Sequence, residues 1–361
     1  IKQNCLIGQD KVDRMVRLSK INMMLIGGNI SNISTGNSII GNSNINRLMN
    51  KVDLIFNNPP FGAEYNINNF IGNDSFHILN NININSGSIN SELAVLDKSI
   101  SLLKPNGRLV IVVPDSVVSA KGIYEEFRKE LMKICDIKAI LELPAVTFAQ
   151  AGTRTKTVII YLQKKASKNK EIFMGVCNDV GYVVKERAGV PVKIQEGINE
   201  MYNISKSYLQ NKGLENKKFN VIANSPSSTI ISYSYIIDSV LNPSFYSADR
   251  LNSVIKLKSI NNKEFDVKKL GEIVDFKSKS RKNLNVNDEI KHISVLHINS
   301  DSTIDLEQAR QFKPISKGRL CESGDILFSK INPRIPRLAV VPETNEAFVC
   351  SNEFEIINVK D

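Results

Sequence analysis

The sequence predicts an α/β fold, with a mostly parallel sheet in the first part of the chain and a strand-rich region in the last part. Strand-like and helix-like segments alternate over residues 1–163, which is typical of a parallel sheet covered by helices. A lysine-rich run, KKASKNKE, then breaks the alternation, and short apolar strands with turn signals follow. We therefore predict a first domain at residues 1–163, a connecting region at 164–232 and a second domain at 233–361.

Apolar spacing and turn residues define the elements of the first domain. A helix is predicted at residues 10–25, where apolar side chains recur at roughly helical spacing before two glycines. Residues 66–90 are polar and rich in asparagine, which predicts a long loop of a length that usually serves a function or is mobile. Strands at 137–143 and 157–163 are expected to be antiparallel, because no helical pattern joins them. The remaining predictions are strands at 52–56 and 109–113, helices at 91–103, 122–134 and 198–210, and a turn at 104–107.

The composition is that of an ordinary globular protein. Its 361 residues are 42% hydrophobic and 23% charged, which suits two or three domains. No apolar run is long enough for a membrane span, and the first ten residues lack the apolar core of a signal peptide. The five cysteines show no CxxC spacing, so we expect reduced thiols and a cytoplasmic location. The three histidines form no zinc-like cluster, and no metal site is predicted.

The strand predicted at residues 52–56 runs directly into NNPPF, whose last four residues are Asn58, Pro59, Pro60 and Phe61. Active sites of open α/β sheets form at the carboxyl ends of strands. Each proline fixes its own φ, and a following proline holds the residue before it extended. The Asn58 carboxamide oxygen and the Pro59 carbonyl are therefore presented as two neighbouring neutral acceptors. They suit a planar NH2 group, and Phe61 can stack on the ring that carries it.

This arrangement indicates methyl transfer to an exocyclic amine. Such an amine on a purine is a poor nucleophile, because its lone pair is spread into the ring. Two acceptors that bind both N–H groups favour the pyramidal form and return electron density to the nitrogen. Direct transfer from a sulfonium methyl donor then depends on positioning and preorganised electrostatics. Taken alone, NPPF is equally well explained as a strand that ends in a proline turn.

Further stretches occur around NNPPF in a defined order. They are GQDKVDRMVRLSKINMMLIGG, STGNSI, SISLLKPNGRLVIVVPDSVV and ELPAVTFAQAGTRTKTVIIYLQK. With these stretches, residues 1–163 resemble the N6-adenine DNA methyltransferases, most closely the modification subunits of type I restriction systems and their fused relatives. The resemblance implies a Rossmann-like methyltransferase sheet with S-adenosyl-L-methionine as cosubstrate.

The resemblance also implies roles for individual residues. Asp10 takes the position of the acidic residue that binds the cosubstrate ribose. Asn37 stands where the family usually has an aspartate that contacts the cosubstrate adenine. NPPF takes the position of the catalytic motif, and Phe148 that of an aromatic residue that flanks the flipped base together with Phe61.

One motif of the family has no counterpart in residues 1–163. It is the glycine-rich loop after the first strand, which cradles the methionine end of the cosubstrate. In the family that strand is central to the sheet. We expect the loop and strand to lie before Ile1, so that the chain by itself would neither bind the cosubstrate well nor methylate.

Residues 233–361 resemble a target recognition domain of the type I specificity subunits. The resemblance rests on LNPSFYSADRL, VKKLGEIVDFKSKSRK, GDILFSKINPR and SNEFEII, and we expect the domain to be truncated at Asp361. The formal net charge of +10 favours a polyanionic partner, although many basic proteins bind no nucleic acid. For any single lysine, a solvated surface charge is the better explanation; for the basic residues as a set, we predict DNA contacts. The predicted DNA-binding residues are Arg154, Lys156, Lys279, Arg281, Lys330, Arg334 and Arg337.

The function predicted from the sequence is site-specific N6-methylation of adenine in double-stranded DNA within a restriction-modification system. The predicted partners are double-stranded DNA and restriction or specificity subunits, with no membrane. One alternative is a methyltransferase that acts on RNA bases or protein glutamine, since NPPF-type loops also serve such enzymes. Another is a non-catalytic DNA-binding specificity module.

Overall fold

The chain forms two compact units, Ile1–Ile255 and Lys256–Asp361. None of the helices in the described ranges is long and apolar enough to cross a membrane. The computed structural model describes all residues except 1–5, 41–42, 84–86, 166–170, 188, 212–227, 248–249, 254–255, 257–259, 261–265, 267, 277–289, 314–317, 332–334, 336 and 361.

The first unit contains most of the regular structure. Its helices are α1 Asp13–Leu25, α2 His77–Asn80, α3 Ser91–Leu102, α4 Ser116–Ser119, α5 Ile123–Ile134 and α6 Met201–Asn211. Its strands are β1 Gly8–Asp10, β2 Ile33–Thr35, β3 Val52–Asn57, β4 Glu64–Asn66, β5 Ser88–Asn90, β6 Leu103–Pro114, β7 Asp136–Leu143, β8 Thr157–Gln163, β9 Glu171–Val176, β10 Val180–Arg187, β11 Val190–Asn199 and β12 Ser228–Ser232.

Six of these strands form the main sheet, in the order β12-β9-β7-β8-β6-β3. β3 is parallel to β6, and β7 is parallel to β9. The predicted antiparallel pairing of β7 with β8 is confirmed, but β8 with β6 and β12 with β9 are antiparallel too. The described part of the sheet is therefore mixed, and the prediction of a mostly parallel sheet was wrong in this respect. The alternation of apolar residues identifies strands. It does not give their direction, because direction depends on the path of the connecting segments.

The other strands of the first unit form three two-stranded sheets. β1 and β2 are parallel, β10 and β11 form an antiparallel ribbon, and β4 pairs with β5. The helices predicted at 91–103, 122–134 and 198–210 correspond to α3, α5 and α6. The turn predicted at 104–107 lies within the bounds of β6, where Asn106 has a φ of 66°.

The prediction of a long polar loop at residues 66–90 was wrong. This segment contains α2, β5 and a short 3-10 helix, and it buries Phe70 and Phe76 in the main core. Asp97 of α3 anchors it, because its carboxylate accepts the backbone N–H groups of residues 77, 78 and 79 at 3.1, 3.1 and 2.8 Å. Burial raises the pKa of Asp97 to about 6. Hydrogen bonds to a distant residue such as Asp97 do not alter the apolar spacing of residues 66–90, so the sequence of the segment does not reveal them.

The main sheet also extends beyond residue 163, where the first domain was predicted to end. β9 and β12 lie within the predicted connecting region at 164–232 and pair in the sheet. Leu241 and Tyr246 belong to the same core, so the LNPSFYS stretch packs with the first unit. The structural division falls after Ile255 rather than at residue 233. The apolar part of β9 is short and follows a charged run, which resembles a linker in sequence.

The second unit has two sheets and its own core. A four-stranded sheet has the order β13 (Val274–Phe276), β19 (Phe354–Val359), β16 (Ile326–Ser329) and β17 (Leu338–Val340). A three-stranded sheet has the order β14 (Lys291–Ile293), β18 (Phe348–Cys350) and β15 (Arg319–Cys321). Cys350 and Phe354 are among the buried residues of the core. The unit also contains the helices α7 Leu270–Ile273 and α8 Leu306–Gln311.

Two buried histidines make the stability of the second unit depend on pH. Burial lowers the pKa of His292 and of His297, and His297 lowers that of His292 further by repulsion. Neither ring nitrogen of His292 has a hydrogen-bond partner among the described residues. The folded unit therefore binds fewer protons than the unfolded chain, whose histidines titrate near pH 6.5. Its unfolding free energy should be fully retained above that pH and fall below it, by at most about 1.4 kcal/mol per pH unit for each histidine.

Hydrogen exchange of peptides that cover β14 and β18, corrected for intrinsic rates, would measure this loss between pH 7.5 and pH 5.5. His292→Leu removes one titrating group, so protection should then fall less steeply as the pH drops. Equal slopes in the two proteins would show that His292 does not carry the effect.

Candidate active site

NPPF lies at the carboxyl end of β3, beside the parallel strand β6. The last residue of β3, Asn57, pairs in register with Ile111. The Asn57 side chain is held in place, because its Nδ2 donates to Ser99 Oγ of α3 at 3.2 Å. Asn58 is exposed and Pro59 is buried. The chain thus leaves the sheet with one asparagine anchored and the next facing solvent.

The two predicted acceptors of the loop make no hydrogen bond within the part of the chain that the structure describes. No described residue hydrogen-bonds to the Asn58 carboxamide or to the Pro59 carbonyl. Both groups can therefore accept from an incoming NH2 group, as the sequence-based prediction requires.

The structure brings the two predicted stacking residues together. Phe148 lies on the 3-10 helix Ala145–Ala151 between β7 and β8, and Phe61 ends the NPPF motif. Their ring centroids are 6.0 Å apart and their planes are perpendicular. A planar base that stacks on the face of one ring would therefore lie perpendicular to the plane of the other.

The β10–β11 ribbon supports the helix that carries Phe148. Tyr182 Oη of β10 donates to the Thr147 carbonyl at 2.9 Å. Lys193 of β11 lies over the Tyr182 ring, with its Nζ 3.7 Å from the centroid. Sequence reasoning missed Tyr182, since the ribbon lies in the region predicted to be a connection and no motif identifies it.

The two predicted cosubstrate residues lie at the same edge of the β1–β2 sheet. These strands are parallel, and Asp10 pairs in register with Thr35, two residues before Asn37. One oxygen of the Asp10 carboxylate accepts the Val12 N–H at 2.8 Å, just before α1 begins. The Asn37 Oδ1 accepts two backbone N–H groups of its own turn, at 2.9 and 3.1 Å. Its NH2 group therefore remains as the available donor.

The two predicted DNA contacts beside Phe148 differ in their surroundings. Arg154 is exposed, and none of the described residues pairs with it. Lys156 Nζ lies 2.5 Å from Oε1 of the buried Glu142. The same carboxylate accepts the N–H and the hydroxyl of Ser244, at 3.1 and 2.6 Å. The charge of Lys156 is thus already balanced by a buried carboxylate.

The remaining predicted DNA contacts lie in or beyond the described part of the second unit. Lys330 is exposed, and its Nζ is 3.5 Å from Glu355. Arg337 is partly buried and precedes β17. Lys279, Arg281 and Arg334 lie outside the described residues. Within the described ranges, no three His, Cys, Asp or Glu side chains come together to hold a metal ion.

The sequence of the first unit identifies its family. A profile of the family N-6 DNA Methylase matches residues 1–229. The chain belongs to the N-6 DNA methylase family. It is 29% identical over 190 residues to the methylase subunit of the type I restriction enzyme EcoKI from Escherichia coli, a match that spans 51% of this chain and 33% of that subunit. It is 25% identical over 193 residues to the type II restriction enzyme and methyltransferase RM.BcgI from Heyndrickxia coagulans, across 53% of this chain and 27% of that protein.

Solved structures of type I restriction-modification proteins show a similar fold. The type I methyltransferase subunit from Streptococcus thermophilus superposes with a TM-score of 0.52 at 21% identity, covering 67% of this chain and 48% of that one. A chain from a type I restriction-modification complex gives 0.50 at 20% identity, covering 72% and 52%. The mixed α/β fold is therefore that of type I methyltransferase subunits.

We expect Tyr182→Phe to loosen the helix that carries Phe148, because it removes only the hydroxyl that binds the Thr147 carbonyl. A hydrogen bond of about 0.5–1.5 kcal/mol corresponds to roughly 2- to 10-fold faster exchange of the amides of residues 145–151. Hydrogen exchange with mass spectrometry measures this directly. Tyr202→Phe, which alters a tyrosine of α6 that is 73% exposed, is the matched control. Identical exchange in the two variants would contradict the supporting role.

Proposed function

We propose that the protein is a site-specific DNA adenine N6-methyltransferase of a restriction-modification system. The observation that carries the proposal is that two acceptors at the carboxyl end of β3, Asn58 and the Pro59 carbonyl, have no hydrogen-bond partner among the described residues of this N-6 DNA methylase family member. The Asn58 Oδ1 and the Pro59 carbonyl accept the two N–H groups of adenine N6. This directs the nitrogen lone pair out of the ring plane, toward the methyl donor.

The β1–β2 edge fits S-adenosyl-L-methionine as cosubstrate. The Asp10 carboxylate has one oxygen beyond its bond to Val12 and is an acceptor for ribose hydroxyls. The NH2 group of Asn37, which has no partner among the described residues, is a donor for an acceptor nitrogen of the adenine ring. S-adenosyl-L-methionine supplies a sulfonium methyl group, and the chain contributes position and hydrogen bonds rather than a covalent intermediate.

The perpendicular phenylalanines suit an adenine that has left the duplex. Flipping a base costs a few kcal/mol, and stacking on an aromatic ring returns about 1–3 kcal/mol. In the proposed complex Phe61 stacks on the face of the adenine, and Phe148 meets its edge. Arg154 is exposed and follows Phe148 in the chain, and we propose that it contacts a nearby phosphate.

We propose that the second unit is the target recognition domain. Lys330 directly follows β16 and Arg337 directly precedes β17, and the sequence of the unit also contains Lys279, Arg281 and Arg334. We propose that these residues contact double-stranded DNA. Lys156 contributes structurally through its ion pair with Glu142. The proposed protein partners are restriction or specificity subunits in the cytoplasm. The Escherichia coli relative is itself a subunit of a type I restriction enzyme.

Asn58→Ala should abolish the proposed activity, because it removes one of the two acceptors for the reacting amine. We expect methylation of plasmid DNA by the full protein with its partner subunits to fall by roughly 100-fold or more. Labelled S-adenosyl-L-methionine measures the transfer, and single-molecule sequencing locates the modified base. Asn69→Ala, at an exposed asparagine on the segment after β4, is the control.

Methyl groups on adenine N6 at one recurring sequence, lost in Asn58→Ala and retained in Asn69→Ala, support the proposal. Wild-type protein that is folded and complete but leaves DNA unmodified would overturn it. That result would favour an RNA or protein glutamine acceptor, or a non-catalytic specificity module.

A further inference from the structure

The first turn of α3 holds the backbone of the loop that follows the two acceptors. Ser91, the first residue of α3, is 0% exposed. Its hydroxyl donates to the Pro60 carbonyl at 3.1 Å, and its backbone N–H donates to the Ala63 carbonyl at 2.7 Å. One carbonyl of NPPF and one carbonyl two residues after it are thus bound by a single buried residue outside the motif.

Glu92, the next residue of α3, places a buried carboxylate behind this contact. Glu92 is 2% exposed, and its Oε1 accepts the Tyr124 hydroxyl of α5 at 3.2 Å. Its Oε2 lies 3.5 Å from the Gly62 nitrogen and 3.4 Å from Ser91 Oγ. Asn90 Nδ2 donates to Tyr124 Oη at 2.5 Å, so the hydroxyl is directed toward Glu92. The carboxylate also sits in the first turn of a helix, where a negative charge is favoured.

These contacts divide the loop into a bound part and a free part. The Pro60 carbonyl and the backbone of residues 62 and 63 are engaged by α3. The Asn58 carboxamide and the Pro59 carbonyl have no partner among the described residues. The Pro59–Pro60 peptide lies between the two parts and is stiff, because each proline fixes its φ. A hydrogen bond at the Pro60 carbonyl therefore restrains the direction of the Pro59 carbonyl.

We infer that Ser91 and Glu92, with Tyr124 behind them, are positioning residues for methyl transfer. They touch neither base nor cosubstrate, and they act by holding the Asn58 and Pro59 acceptors at the separation that one NH2 group requires. This inference rests on the proposed function, since it concerns the same acceptors. A displacement near 1 Å at a reacting group can cost about 100-fold in rate, so a single bond to the loop backbone is enough to matter.

Ser91→Ala tests the inference in the full protein with its partner subunits. It removes the hydroxyl that binds Pro60 and leaves the backbone N–H that binds Ala63. Ser101→Ala is a matched control on the same helix, because Ser101 is also buried but its Oγ has no hydrogen-bond partner among the described residues. We expect kcat to fall roughly 10-fold in Ser91→Ala relative to Ser101→Ala, with KM for DNA and for S-adenosyl-L-methionine unchanged in both variants.

Tyr124→Phe is the second variant, since it removes the donor to Glu92 and keeps the bond between Ser91 and Pro60. It should lower kcat by a smaller factor, again without a change in KM, and Tyr202→Phe is its control. Kinetics of Ser91→Ala that equal those of Ser101→Ala would overturn the positioning role alone, because the wild-type protein would still methylate adenine. A joint change of kcat, KM and melting temperature would show a merely structural role. Absence of methylation by the wild-type protein would overturn the proposed function and this inference together.

Discussion

The candidate site depends on the parallel pairing of β3 with β6 across α3. A parallel pair needs a crossover, and the crossover helix runs back along the strands, so its first turn lies near their carboxyl ends. NPPF leaves the sheet at that same end. Ser91 and Glu92 therefore contact the loop because of the topology, although their bonds to Pro60 and Gly62 span 31 and 30 residues of sequence.

The burial of α3 explains why its polar residues carry so many contacts. Most of the helix is buried, including Asp97 and Lys98. Buried charges are stable only when they are paired or hydrogen-bonded. Asp97 accepts from the start of α2, and Lys98 donates to Asn46 at 2.5 Å, while burial lowers the pKa of Lys98 to about 8. Each of these bonds connects a surrounding segment to the helix that also binds the backbone of the NPPF loop.

The other side of the site is assembled from parts of the chain that lie far along the sequence. The β10–β11 ribbon holds the helix of Phe148 through Tyr182. The LNPSFYS stretch binds two carboxylates at the ends of sheet strands, with Asn242 donating to Asp115 at 2.5 Å and Ser244 donating to Glu142. These segments lie after the predicted end of the first domain, and their contribution to the site is visible only in the folded chain.

The sequence by itself determined the strand that leads into NPPF and the helices α3, α5 and α6, and it predicted NPPF as the catalytic motif. The reason is local: prolines fix φ, and apolar spacing records which face of an element is buried. It also indicated that Phe61 and Phe148 belong together, through the resemblance of the whole ordered set of motifs. Only the tertiary structure decided the strand directions, the folding of residues 66–90, the extent of the first unit and the support of the loop by Ser91. These depend on hydrogen bonds between distant segments, such as those of Asp97, and such bonds leave no periodic signal in the chain.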